Sequence, residues 1–229
     1  MTETPIQVAR VLMPEKGVFT VRCASPFTEG AEMPARGVRV IVNLDYGADC
    51  GELLDIDAYT PERDGPHPPG FTFTRVANDE DRTIIEQNEA AAREMRLAFV
   101  QAAQKIVSDI RVSYARLSFG KTRLFIRFVS DRQRPDLSSV QNEIRRAYGV
   151  SVHAWQMGPR DEVRVLGSVG PCGRACCCAT WQKRYPARLA AERFKGMNPA
   201  MLNGTCGRFK CCLVFEDGGA ECRKRGDVK

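Results

Sequence analysis

A cysteine-rich motif occurs twice in this chain. "CGRACCC" begins at residue 172, and "CGRFKCC" begins 34 positions later at residue 206. We call these segments motif 1 (172–178) and motif 2 (206–212). Without gaps both read C-G-R-x-x-C-C, and Cys176 is an additional thiol in motif 1. Two such turns can supply a four-thiolate site, with two cysteines from each motif. The matched thiols are Cys172, Cys177, Cys178, Cys206, Cys211 and Cys212.

The compartment decides how these thiols are interpreted. The first twenty residues have neither a basic segment nor an apolar run typical of a signal peptide, and no window approaches the ~20 apolar residues of a membrane span. We therefore predict a cytoplasmic protein without membrane insertion. Reducing compartments disfavour disulfides, and eight of the ten cysteines lie from residue 172 onward. Clustered thiols in such a protein favour metal binding.

The spacing leaves the metal open. All-thiolate ligation suits both zinc and iron–sulfur clusters, and the C-x4-C step occurs in both kinds of site. Glycine directly after the first cysteine permits a tight turn, and Arg174 and Arg208 favour ionised thiolates. Neighbouring cysteines point apart in extended backbone, so one thiol of each adjacent pair can face a second cluster, a partner or the core. For Cys23 and Cys50, outside the motifs, we expect buried apolar packing.

The positive charge is concentrated on the same segment. Residues 172–213 contain eight Lys or Arg against Glu192 alone, which is +7, whereas the whole chain carries +6. This excess fits a phosphate-binding surface or a frame that stabilises thiolates, and the two interpretations are compatible. The candidate contacts to nucleic acid or partners are Arg174, Lys183, Arg184, Arg208 and Lys210.

The upstream pattern predicts an α+β fold. The segments 38–44 and 51–59 read as a β-hairpin, and an amphipathic helix covers 81–110. With a strand at 71–76, the order β-α-β-β-α-β predicts a ferredoxin-like region, and a short helix over 185–196 separates the motifs. The predicted organisation is a small β module (1–60), a proline-rich connector (61–70), the ferredoxin-like region (71–157) and a basic, cysteine-rich, metal-binding segment (158–229).

The two motifs carry a resemblance to a known family. "GPCGRACCCATW" and "MNPAMLNGTCGRFKCCLVFED" are similar to the hallmark of the YaaT/RicT family, the bacterial members of the polymerase-suppressor (PSP) C-terminal-domain proteins. The likeness extends upstream through "VHAWQMGPRDEVRVLG" and "GVRVIVNLDYGADCGELLDI". It implies a non-catalytic cytosolic regulator that works with RicA/RicF-like partners in a complex carrying 4Fe-4S clusters. It further implies that this complex assists an RNase Y-type endoribonuclease in mRNA maturation, and that the six matched cysteines bind the cluster.

The residues give little support for an enzyme. His67 and His153 lie near no nucleophile or metal-type motif, and "SFGKT" (118–122) lacks the phosphate-loop frame. "PRDE" (159–162) is interpreted as surface ion pairing. Two hypotheses remain. The first is an iron–sulfur adaptor that acts with an RNA-processing nuclease, and the second is a zinc-stabilised module that binds RNA or DNA.

Overall fold

The α+β fold is confirmed by a computed structural model of the chain. Its strands are β1 Gln7–Met13, β2 Gly17–Cys23, β3 Arg39–Leu44, β4 Gly47–Ala58, β5 Thr72–Val76, β6 Arg111–Leu117, β7 Arg123–Val129 and β8 Ser151–Gln156. Its helices are α1 Pro61–Asp64, α2 Asp79–Gln104, α3 Ser138–Tyr148, α4 Pro159–Leu166 and α5 Pro199–Leu202. The structure describes residues 6–14, 17–23, 33–64, 66–180, 196 and 198–213.

The N-terminal β module is a closed barrel with the strand order β1-β2-β5-β3-β4. Its interior is apolar because alternate residues of the strands point inward, and Val11, Val21, Val42 and Leu53 are almost completely buried. The predicted hairpin is confirmed, since β3 and β4 pair antiparallel from Leu44 opposite Gly47 outward. The turn is tighter than the sequence suggested, because pairing already begins at the first residue of β4.

The first strand of the predicted ferredoxin-like region has a different partner from the expected one. The element order from β5 to β8 is the predicted β-α-β-β-α-β, but β5 pairs with β2 and β3, and the second sheet contains β6, β7 and β8 only. The barrel explains this pairing: β5 closes the gap between β2 and β3, buries Phe73 in the barrel core and leaves no open edge.

The predicted long helix is α2, which begins two residues before the predicted span 81–110 and ends six residues before its end. A reciprocal capping box starts it, in which the Asn78 side chain accepts the N–H of Asp81 and the Asp81 carboxylate accepts the N–H of Asn78. Its apolar stripe is buried, as predicted, at Met95 and Phe99. Gly149 follows α3 with a positive φ of 71°, a left-handed conformation that is typical of a glycine at a helix C-terminus. No helix in the described part of the chain is long and apolar enough to cross a bilayer.

The chain folds into two compact units that do not follow chain order. One unit comprises residues 1–106, 115–126 and 136–154, and the other comprises 107–114, 127–135 and 155–229, in each case as far as these residues are described. The first unit contains the barrel, α2 and α3, and we call it the barrel unit. The second contains α4, α5 and both cysteine motifs.

A buried carboxylate cross-links the first unit. Asp49 of β4 has no exposed surface, and its oxygens accept hydrogen bonds from the Tyr46 hydroxyl at 2.7 Å, from the Arg116 guanidinium at 2.8 Å twice, and from the Phe119 N–H at 3.1 Å. Burial alone would raise the pKa of this carboxyl, but these hydrogen bonds and the Arg116 charge lower it overall. Asp49 therefore ties the barrel hairpin to β6 and to the turn after it.

Candidate metal centre

The two cysteine motifs fold alike, residue for residue, at the 34-residue offset. In motif 1 the Gly170 N–H donates to the Arg174 carbonyl at 2.8 Å, and in motif 2 the Gly204 N–H donates to the Arg208 carbonyl at 2.8 Å. Each turn is also closed by an isolated β-bridge, Val169 with Ala175 in one and Asn203 with Phe209 in the other. The sequence repeat is thus a structural repeat.

Glycine is required at the second position of each motif. Gly173 has φ of 77° and Gly207 has φ of 70°, a left-handed conformation that disfavours any side chain. These turns bring each first cysteine back toward the glycine that opens its turn. A Cβ at Gly170 would lie 3.5 Å from the Cys172 Sγ, and one at Gly204 would lie 4.0 Å from the Cys206 Sγ. The local backbone geometry therefore fixes where each first thiol sits.

The structure brings the predicted thiols together around one cavity. Its volume is about 430 Å³, and α4, α5 and both motifs line it. Cys178 is buried, Cys177, Cys206 and Cys211 are half-buried, and the other two predicted ligands are exposed. The thiols on the lining are all six predicted ligands together with Cys176: Cys172, Cys176, Cys177, Cys178, Cys206, Cys211 and Cys212.

Thiols of the two motifs raise one another's pKa across the cavity. Burial raises the pKa of Cys177, and negative charge on Cys212 of the other motif raises it further. Burial likewise raises the pKa of Cys178, with contributions from Cys176 and from Cys206 across the cavity. Several thiolates can occupy this cavity only if a cation compensates them, which is what a bound metal supplies.

The thiols that line the cavity are donors that both kinds of metal site can use. A structural zinc ion needs four donors converging on one point at about 2.0–2.3 Å. Among the described residues, no group of three or more His, Cys, Asp or Glu side chains is placed to hold a single ion. An iron–sulfur cluster is larger than one ion and takes its thiolates on separate irons, so its ligands are spread around a cavity. The chemistry of this thiol lining fits a cluster, and all-thiolate ligation suits zinc as well.

Two arginines of α4 hold the motifs, and the sequence interpretation missed them. The Arg164 Nε donates to the Cys178 carbonyl at 3.2 Å, and an Arg160 terminal nitrogen donates to the Phe209 carbonyl at 3.3 Å. Burial raises the pKa of Cys211 while Arg160 opposes the rise, and Arg164 acts in the same way on Cys178.

The Arg160 Nε–H is itself buried without a partner in the described structure. The "PRDE" segment thus does more than form the surface ion pairs that we expected. One such pair is present, since the Arg164 guanidinium lies 3.5 Å from the Asp161 carboxylate. The sequence did contain a signal for this role: Arg160 and Arg164 are four residues apart, and residues at that spacing share one helix face.

The predicted basic contacts are distributed differently. Arg174 and Arg208 are exposed, and the Arg208 guanidinium lies beside Gly158 at the start of α4. Lys210 is half-buried, lines the cavity and occupies the position that Cys176 has in motif 1. Lys183, Arg184 and all but the last residue of the predicted helix over 185–196 lie outside the described residues.

Comparison with known proteins gives two matches. Residues 195–221, which include motif 2, match the family described as "PSP1-like protein, third domain". The chain is also 28% identical over 191 residues to "Stage 0 sporulation protein YaaT" of Bacillus subtilis (strain 168), an alignment that covers 81% of this chain and 68% of that protein. The resemblance to the YaaT-like PSP1 family is confirmed. No solved structure matches the chain significantly.

The YaaT-like relationship spans far more than the cysteine motifs, since 191 aligned residues cannot fit within the second unit alone. It therefore includes residues of the barrel unit. The third-domain match, in contrast, is confined to 27 residues around motif 2. The similarity to the sporulation protein therefore extends well beyond the cysteine-rich segment.

Proposed function

We propose that this protein is a non-catalytic cytoplasmic adaptor that binds a 4Fe-4S cluster through its two motifs. In this proposal it acts with RicA/RicF-like partners and an RNase Y-type endoribonuclease in mRNA maturation. The observation that carries the proposal is the convergence of seven cysteines from both motifs on one cavity. Similarity to a sporulation protein supports the regulatory part of the proposal.

The chain's own residues have distinct parts in this function. The two glycine turns orient Cys172 and Cys206, and the remaining matched cysteines complete the thiol lining. Arg160 and Arg164 anchor the motifs to α4 and place positive charge next to their thiols. The cluster, when bound, would cross-link the two motifs through their thiolates.

The nuclease role is tested in cells. The native gene is replaced by a Cys172→Ser/Cys206→Ser variant, and 5′ ends of transcripts are mapped by RNA sequencing. We expect uncleaved precursor transcripts to accumulate as they do in a strain that lacks the nuclease. The matched control is Cys50→Ala, which removes a thiol of the barrel unit and should leave the transcript pattern unchanged.

Co-purification separates this function from the alternative. Under anaerobic conditions, the unmodified protein should retain its partner proteins, and the double serine variant should release them. Unchanged transcripts together with partner binding that does not require the cysteines would refute the adaptor proposal. Zinc in place of iron, with RNA binding by the chain alone, would instead support the zinc-stabilised nucleic-acid module.

A further inference from the structure

A row of aromatic and arginine side chains crosses the part of the β6-β7-β8 sheet that belongs to the second unit. The guanidinium carbon of Arg127 in β7 lies 5.6 Å from the ring centroid of Tyr114 in β6. The Ser151 N–H donates to the Thr122 carbonyl at 2.9 Å, and the Met157 N–H donates to the Phe128 carbonyl at 2.7 Å. Because both bonds have the same 29-residue offset, β7 and β8 run parallel in this register. Because side chains alternate between faces, that register places Trp155 beside Arg127 on the same face as Tyr114.

Trp155 is exposed rather than buried. Its side chain is 65% exposed, although tryptophan is among the residues with most to gain from burial. Tyr114 and Arg127 next to it are half-buried, so their positions are fixed by the sheet. A large exposed aromatic side chain on a rigid strand is typical of a binding surface.

An arginine-bearing loop is fixed beside this tryptophan. The side chain of Gln156 donates to the Ser130 carbonyl at 3.1 Å and to the Arg132 carbonyl at 2.7 Å, and it accepts the Arg134 N–H at 2.8 Å. Arg134 also has a positive φ of 47°, a costly conformation that this clamp maintains. The residue after Trp155 therefore holds the loop at a set distance from the exposed ring.

The loop presents positive charge to solvent. Arg132 and Arg134 are exposed, and within the described residues neither guanidinium has a hydrogen bond or ion pair. Together with Arg127 they provide three positive charges around the aromatic row. Two acids, Asp109 and Asp131, lie at the base of the same loop, so the surface is moderately rather than strongly basic.

We propose that this surface, formed by Tyr114, Arg127, Arg132, Arg134 and Trp155, binds a single-stranded nucleic acid. Aromatic rings on a sheet stack on unpaired bases, and nearby guanidiniums contact the backbone phosphates. A protein partner would require an apolar centre that excludes charge, whereas arginines here adjoin both aromatic rings. The surface is built from residues other than the cysteine motifs, so this inference does not rest on the proposed function.

Binding is measured by fluorescence anisotropy of a labelled 15-nucleotide RNA and of the DNA strand of the same sequence. The whole protein is used at several salt concentrations. We expect Trp155→Ala to weaken binding about tenfold, because base stacking contributes strongly at each contact, and Trp155→Phe to restore most of it. Leu97→Ala, which shortens another exposed apolar side chain (64%), is the matched control and should bind normally.

The arginines are tested through salt dependence. With two to three phosphate contacts, log K should fall with log salt at a slope of about −1.4 to −2 for a single strand. Arg132→Gln/Arg134→Gln should make the slope shallower by about 1.4, whereas Arg146→Gln, an exposed arginine on α3, should not change it. RNA and DNA strands that bind equally would indicate stacking and phosphate contacts, and tighter RNA binding would indicate recognition of the 2′-hydroxyl; both support the proposal.

Direct contact with Trp155 is tested by its own fluorescence. The chain has two tryptophans, so Trp181→Phe leaves Trp155 as the only emitter. Titration with the RNA should quench this emission. The proposal is overturned if the wild-type protein binds neither strand at low salt, if Trp155→Ala binds as tightly as wild type, or if the emission of Trp155 does not change on binding.

Discussion

Removal of the Asp49 carboxylate should destabilise the barrel unit more than removal of any surface acid. The Arg116 side chain is only 17% exposed, and in Asp49→Ala its guanidinium loses both 2.8 Å hydrogen bonds. The Tyr46 hydroxyl and the Phe119 N–H each lose an acceptor as well. Breaking a buried ion pair by removing one partner costs about 3–5 kcal/mol. We expect a loss of this size in the free energy of unfolding, measured by urea denaturation of the whole chain.

The control for this prediction is an ion pair of the same length at the surface. Asp57 accepts from Arg63 at 2.8 Å, but both side chains are about half exposed. Asp57→Ala should therefore cost less than about 1 kcal/mol. Arg116→Met in the Asp49→Ala background should recover part of the loss, because it removes the unpaired charge. Equal effects of Asp49→Ala and Asp57→Ala would refute the argument from burial.

The same carboxylate predicts an acid dependence. The pKa of Asp49 is lower in the folded protein than the ordinary value of about 3.9 in the unfolded chain. A lowered folded-state pKa contributes stability at pH values above the unfolded pKa, and this contribution is lost as the pH falls through the folded pKa. The stability difference between wild type and Asp49→Ala should therefore shrink in acid. A difference that stays constant from pH 7 to pH 2 would contradict this assignment.

Three further predictions concern single residues. Gly173→Ala and Gly207→Ala should each destabilise their own motif by roughly 1–2 kcal/mol, because both glycines adopt a left-handed backbone conformation. Hydrogen exchange should show a similar loss of amide protection in the two motifs. A large loss of protection in only one motif would contradict the structural repeat. Burial raises the pKa of Cys50 to about 11. At pH 8 its thiol should therefore react with iodoacetamide about a hundredfold more slowly than an ordinary thiol. Mass spectrometry of the modified peptides measures this rate, and a rate equal to that of an ordinary thiol would contradict the prediction. Arg160→Gln should lower the metal retained on gel filtration, whereas Arg146→Gln, a surface change on α3, should not.

Sequence patterns predicted the elements whose cause is local. The apolar stripe of α2 and the β3–β4 hairpin follow from side-chain periodicity and turn residues, and both are present. The glycines of the two motifs were predicted to make tight turns, and Gly173 and Gly207 have the positive φ that such turns require. In each case the residues that determine the structure are neighbours in the chain.

Features that depend on distant partners were not predictable in this way. The periodicity of β5 is the same whether it joins the barrel or the second sheet, and its pairing is decided by the gap between β2 and β3. The four-residue spacing of Arg160 and Arg164 indicated a shared helix face, but it did not indicate the partner of Arg160, which is a carbonyl 49 residues away in motif 2. Trp155 reads as an ordinary strand residue until its exposure is known.

Metal analysis of protein purified without oxygen determines whether the two motifs hold an iron–sulfur cluster. We expect iron and acid-labile sulfide in similar amounts, with broad absorption near ~400 nm, and their loss from Cys172→Ser/Cys206→Ser. Cys50→Ala should keep both. Stoichiometric zinc without sulfide would refute the iron–sulfur cluster. Full iron and sulfide in the double serine variant would refute Cys172 and Cys206 as its ligands.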